Sequence, residues 1–132
     1  MPVRDLLMSA SGASAPAVYV DDVFSTYLYT GTGATQSITN GIDLATKGGL
    51  VWLKDRTNAY NNGLYDTVRG TTKSIGSNLT TAQVTDANSL TAFNSNGWSL
   101  GTDTNYNNNT ATYVGWQWQA GQGSSSSNTN GS

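Results

Sequence analysis

The sequence predicts an all-β fold of the β-sandwich class, and three observations predict it. Thr (19), Ser (15), Asn (14) and Gly (15) make up just under half of the 132 residues. Thr favours strands, whereas Asn, Ser and Gly favour turns. All 8 acidic residues are Asp and none is Glu, so one of the better helix formers is missing. Short β-branched and aromatic runs then recur at regular intervals, separated by Gly- and Asn-rich turns. The length fits one domain, which at this size buries about two thirds of the surface exposed by its unfolded chain.

Each strand has its own justification in the residues. Asp22 to Thr30 alternates Phe24, Thr26 and Leu28 against Val23, Ser25, Tyr27 and Tyr29, and it stops at Gly31-Thr32-Gly33. Thr35 to Thr39 is a second short strand ending at Asn40-Gly41, a strong turn signal. Gly49 to Lys54 is nearly continuously apolar, which predicts a strand buried on both faces. Asn61-Asn62-Gly63 turns into Leu64 to Asp66, and after Arg69-Gly70 come Thr71 to Ser77 and Leu90 to Phe93. The turn at Asn94-Ser95-Asn96-Gly97 leads into Trp98 to Leu100. In the last strand, Thr112 to Gln119, the apolar face reads Val114, Trp116 and Trp118, opposite Tyr113, Gly115 and Gln117. No helix is predicted within this domain, and a jelly-roll is the expected topology.

The flanks read differently. Residues 1–18 form an arm and linker, with Val3, Leu6 and Leu7 on one side of residues 2–9 if that stretch is helical. Such a segment is too short to be stable alone, so it reads as a docking peptide ordered by a partner, with simple fraying the alternative. Ala13-Ser14-Ala15 resembles a signal-peptidase site, but Arg4 and Asp5 interrupt the apolar stretch before it. Residues 19–119 form the sandwich domain. Residues 120–132 read as a flexible Ser/Asn/Gly-rich linker, expected to lead to further domains in a longer chain.

Composition excludes several chemistries. With no Cys and no His there is no thiol nucleophile, no His-based triad, no Cys/His zinc site and no disulfide. Six basic residues and a pI near 4.6 leave no electrostatic footprint for nucleic acid. No apolar run approaches the ~20 residues of a membrane span. An oxygen-only metal site and a carboxylate-pair hydrolase stay open.

The run from Tyr19 to Trp118 resembles a domain family of marine bacteriophage structural proteins, chiefly tail-fibre-like and other appendage proteins. The matching pieces are Val23 to Gly31, Ile38 to Leu44, Gly48 to Lys54, Leu64 to Gly70 and Leu90 to Gly97. The opening Met-Pro-Val-Arg-Asp-Leu-Leu-Met is similar to the starts of such chains. The resemblance implies a concanavalin- or laminin-G-like sandwich and a non-enzymatic virion structural protein assembled in the host cytoplasm. A tail fibre or appendage supporting host attachment leads, with a capsid-surface decoration or a lectin-like adhesin as alternatives. It also implies virion proteins as partners, no cofactor, and a homo-oligomer, a trimer if the protein is a tail fibre.

Among individual residues, Asp66 reads as a turn carboxylate paired with Arg69 and Asp55 as a strand-end partner of Arg56, with catalysis the weaker reading of both. Asp21-Asp22 and the run Asp103, Asn105, Asn107, Asn108 and Asn109 offer oxygens to calcium, although Asn also dominates turns for backbone reasons. Trp52, Trp116 and Trp118 lie in apolar strands and read as core. Tyr60, Asn61, Asn62, Tyr106 and Asn107 fall in Asn-rich loops, where they would form a rim for glycan or subunit contact, with solvent-facing tyrosines the plainer reading. Trp98 opens a strand directly after a Gly turn.

Overall fold

The computed structural model describes residues 16–121. Within them the order is α1 (Val20–Val23), β1 (Phe24–Thr30), β2 (Gln36–Thr39), β3 (Gly49–Asp55), β4 (Gly63–Asp66), β5 (Lys73–Gly76), β6 (Val84–Thr85), β7 (Leu90–Asn94), β8 (Gly97–Leu100), α2 (Thr104–Asn107) and β9 (Thr112–Gln119). The fold is all-β, with two antiparallel sheets and two single-turn helices. One sheet has six strands in the order β1-β9-β3-β4-β5-β6, and the other has three in the order β2-β8-β7. The arm residues Val3, Leu6 and Leu7 and the linker from 122 onward lie outside the described residues.

A single core joins the sheets. Tyr29, Val51, Leu53, Tyr65 and Tyr113 come from the larger sheet, and Ile38, Leu90, Trp98 and Leu100 from the smaller. Ile42 and Leu44, in the connection after β2, close it at one side. β9 is central to the larger sheet, with Trp116 opposite Thr26 on one side and Trp52 on the other.

Which face of β9 turns inward corrects the sequence reading. Tyr113, Gly115 and Gln117 are buried; on the other face Val114 is buried too, but Trp116 is half-buried and Trp118 is 37% exposed. The reason lies across the core. The Trp98 ring from β8 sits over Gly115, where an added Cβ would come within 2.6 Å of ring atom Cζ2. A glycine therefore faces inward to admit a ring from the other sheet, and Trp98 is fully buried core. Gln117 is buried without penalty because it accepts from Asn40 Nδ2 at 2.6 Å and donates to the Ile42 carbonyl at 3.2 Å.

Three further expectations are adjusted. β3 buries Val51, Leu53 and Asp55 but leaves Leu50, Trp52 and Lys54 half-buried, so it is covered on one face rather than two. β1 starts at Phe24, because residues 20–23 close a helical turn in which the Asp22 carboxylate accepts from the Tyr19 amide at 2.9 Å. The two-residue β6 has no sequence run long enough to announce it; it forms by pairing with β5.

Candidate functional site

Two surfaces qualify. The first is a cleft of about 160 Å³ walled by Asn61, Asn62, Asp86, Asp103, Asn105 and Tyr106. Asn61 and Asn62 precede β4 and are fixed through Asn78, which donates to Asn61 Oδ1 at 2.8 Å and accepts from the Asn62 amide at 3.1 Å. Asp103 caps α2 by accepting from the Asn105 amide at 2.9 Å. That turn drives Tyr106 inward, where it packs edge-on against Tyr65 at 5.8 Å. Burial and then the Asp103 carboxylate push the Tyr106 hydroxyl up to about 12, against a lowering hydrogen bond from Tyr65. The cleft thus presents neutral hydroxyl and amide groups beside two carboxylates.

The sequence-predicted rim divides here. Asn61, Asn62 and Tyr106 meet in the cleft, although Tyr106 is 8% exposed and acts as a wall rather than a stacking platform. Tyr60 is exposed but lies outside the cleft, with its carbonyl accepting from Lys54 Nζ at 2.7 Å. Asn107 is no rim residue. It is fully buried, accepting from the Thr32 amide and Gln36 Nε2 and donating to the Ala34 and Gly101 carbonyls.

The carboxylates singled out by sequence serve their own turns. Asp66 accepts from the amides of Val68 and Arg69 and pairs with the Arg69 guanidinium, as expected. Asp55 instead accepts from the amides of Thr57 and Asn58 and from Asn58 Nδ2. Burial pushes both carboxyls up, but these hydrogen bonds outweigh it and hold them below the usual range. A depressed native pKa adds stability above the unfolded value of about 3.9 that is lost as pH falls through the native one. The calcium-candidate run diverges, since Asp103 and Asn105 bind each other while Asn107 turns into the core. Among the described residues no group of three or more acidic, His or Cys side chains could hold a metal.

Asp103 behaves oppositely. Burial and the nearby Asp86 carboxylate push it up, against the Asn105 amide. Its charge therefore costs stability at neutral pH, and the cost lifts as pH falls through the raised value. Asp103→Asn keeps the cap and removes the repulsion. It is expected to raise the thermal midpoint at pH 7 and to lose that advantage below the ordinary Asp pKa, as scanning calorimetry at both pH values would show.

The second surface is an aromatic slot of about 300 Å³ on the outer face of the six-stranded sheet, lined by Phe24, Trp52, Trp116 and Trp118. Pairing places these side chains in rows: Phe24 beside Trp118 with ring centroids 5.2 Å apart, and Trp52 beside Trp116 at 5.4 Å. Trp52 Nε1 donates to Asn62 Oδ1 at 3.3 Å, so a hydrogen bond links the slot to the cleft. Sequence reasoning assigned these tryptophans to the core. Gly115 and Gln117 alternate with them and look like a small, polar solvent face, so nothing local in the sequence signalled that the tryptophans lie outside.

Neither the curated proteins nor the solved structures include a match to this chain. A family model described as a domain of unknown function, DUF7483, matches residues 20–132, and the chain belongs to that family.

Proposed function

We propose that this chain is a non-enzymatic structural module of a bacteriophage virion, carried on the tail as a fibre or appendage and supporting host attachment. In this reading the two sheets form a concanavalin- or laminin-G-like sandwich of jelly-roll type, the N-terminal arm attaches to the particle, and copies associate as a homo-oligomer. The observation that carries it is the outer aromatic face. Phe24, Trp52, Trp116 and Trp118 are held in paired rows by the sheet yet left partly open, as a surface built for another macromolecule would be. The engagement of Asp55 and Asp66 by their own turns, and the sequence resemblance to phage appendage domains, support the same reading.

Labelling intact particles with an antibody against this domain tests it. Label on the tail is the expected result. Label over the head would make the domain a capsid decoration, and particles without label would overturn the virion reading.

The cleft favours a second role, lectin-like binding of host surface glycan, since amides, carboxylates and a tyrosine edge match sugar hydroxyls. Asn62→Ala and Asn105→Ala are then expected to abolish binding of the full chain to immobilised host polysaccharide. Unchanged binding would exclude the cleft. Release of reducing ends by the purified protein would instead point to an enzyme.

A further inference from the structure

The four sheet edges are not treated alike. β6 ends the larger sheet with two residues, and β2 ends the smaller with four. β7 has a register shift between Leu90 and Ala92, and its Leu90 and Asn94 carbonyls accept from Thr72 and from Leu44 and Ala45. Short strands, bulges and covering loops are the usual ways of blocking an edge.

β1 is neither short nor bulged, and only its ends are engaged, the Phe24 N–H by the Val20 carbonyl and the Thr30 carbonyl by Gln36 Nε2 at 3.3 Å. Its seven residues, Phe24 to Thr30, include no charge and no proline, and they keep one unbroken register with β9. Among the described residues no strand pairs with its outer side. Gly31 donating to the Ala111 carbonyl fixes the ladder's phase: the backbone groups of Ser25, Tyr27 and Tyr29 point to β9, and those of Thr26 and Leu28 point outward. A long uncharged edge of this kind is a template for another strand.

We infer that β1 is a homotypic pairing strand: a second copy of this chain adds its own β1 antiparallel, about a two-fold axis at Tyr27. In that register Phe24 faces Thr30, Ser25 faces Tyr29 and Thr26 faces Leu28, so every pair off the axis sets a large side chain against a small one. This self-complementarity selects a second copy over an unrelated strand. Pairing also satisfies the outward N–H and C=O groups of Thr26 and Leu28 and covers part of Leu28, which is 59% exposed. It joins two six-stranded sheets and extends the outer apolar rows across the axis. The inference names the surface behind the homo-oligomer proposed above and rests on that reading, with a two-fold rather than a three-fold contact for this domain.

The chain has no cysteine, so one introduced thiol reports on the axis. At a non-hydrogen-bonded antiparallel pair the Cα atoms lie about 4.5 Å apart, within disulfide range. Full-length Tyr27→Cys is expected to cross-link to a dimer on mild oxidation about tenfold faster than Val84→Cys, placed on the short β6 edge. In sedimentation, the unmodified full chain is expected at twice its 13.9 kDa, and Leu28→Lys at the monomer mass with an unchanged far-ultraviolet dichroism spectrum. A monomeric or trimeric unmodified chain, equal cross-linking at the two positions, or a Leu28→Lys variant that stays dimeric would overturn the inference. None of these outcomes alters where the label falls on particles, so failure of this edge is separable from failure of the virion reading.

Discussion

Trp98→Ala is expected to cost about 4 kcal/mol, a large fraction of the 5–15 kcal/mol that holds a domain of this kind. The indole is fully buried between the sheets, edge-on to Tyr29 at 6.3 Å and in contact with Gly115. Because the opposing position is a glycine, it has no side chain of its own to move into the space. The cavity term therefore adds to the lost burial. Urea titration at 25 °C measures the loss, and a cost below about 1.5 kcal/mol would show that the sheets collapse onto each other. Trp98 Nε1 has no hydrogen-bond partner. Trp98→Phe removes that buried donor as well as part of the ring, so it is expected to cost clearly less than Trp98→Ala.

Asn107→Leu is expected to cost about 3 kcal/mol, with little change in volume. The amide joins Thr32 and Ala34 in the turn after β1, Gln36 at the start of β2 and the Gly101 carbonyl after β8 through four hydrogen bonds, each between 2.6 and 2.9 Å. Replacing it leaves two donors and two acceptors without their partner: the Gly101 carbonyl is buried, whereas Thr32 and Ala34 border solvent. Thermal melts and native-state hydrogen exchange would both register the change, and the Thr32 amide should lose its protection first. An unchanged melting midpoint would mean that water enters and replaces all four bonds.

Much of the fold could be read from residue order alone. The strand at Thr112 to Gln119 has the predicted limits, and those at Gly49, Leu64, Leu90 and Trp98 match to within one residue. Turn chemistry set these limits locally, through Asn40-Gly41, Asn62-Gly63 and Asn96-Gly97. The Asp66–Arg69 turn was legible for the same reason, its two ends being only three positions apart. The candidate site was legible only in part. Asn61, Asn62 and Tyr106 were named for it, Asp103 only as a calcium candidate, and Asp86 reaches the cleft from a segment that the sequence did not single out.

What the sequence by itself determined is the all-β class, the strand succession and the absence of thiol and imidazole chemistry. These follow from local propensity and from composition. Only the tertiary structure decided which side of each strand faces the core. Alternation divides a strand into two faces but does not sign them when both carry aromatics, and in β9 the sign was set by a ring arriving from the other sheet. Trp98, read as a strand-end aromatic, filled the space over Gly115, and Trp116 and Trp118 were left on the outside. The same choice sent Asn107 inward as a hydrogen-bonding pin and made β1 an open edge. Burial is a property of pairs of segments brought together, and no single segment encodes it.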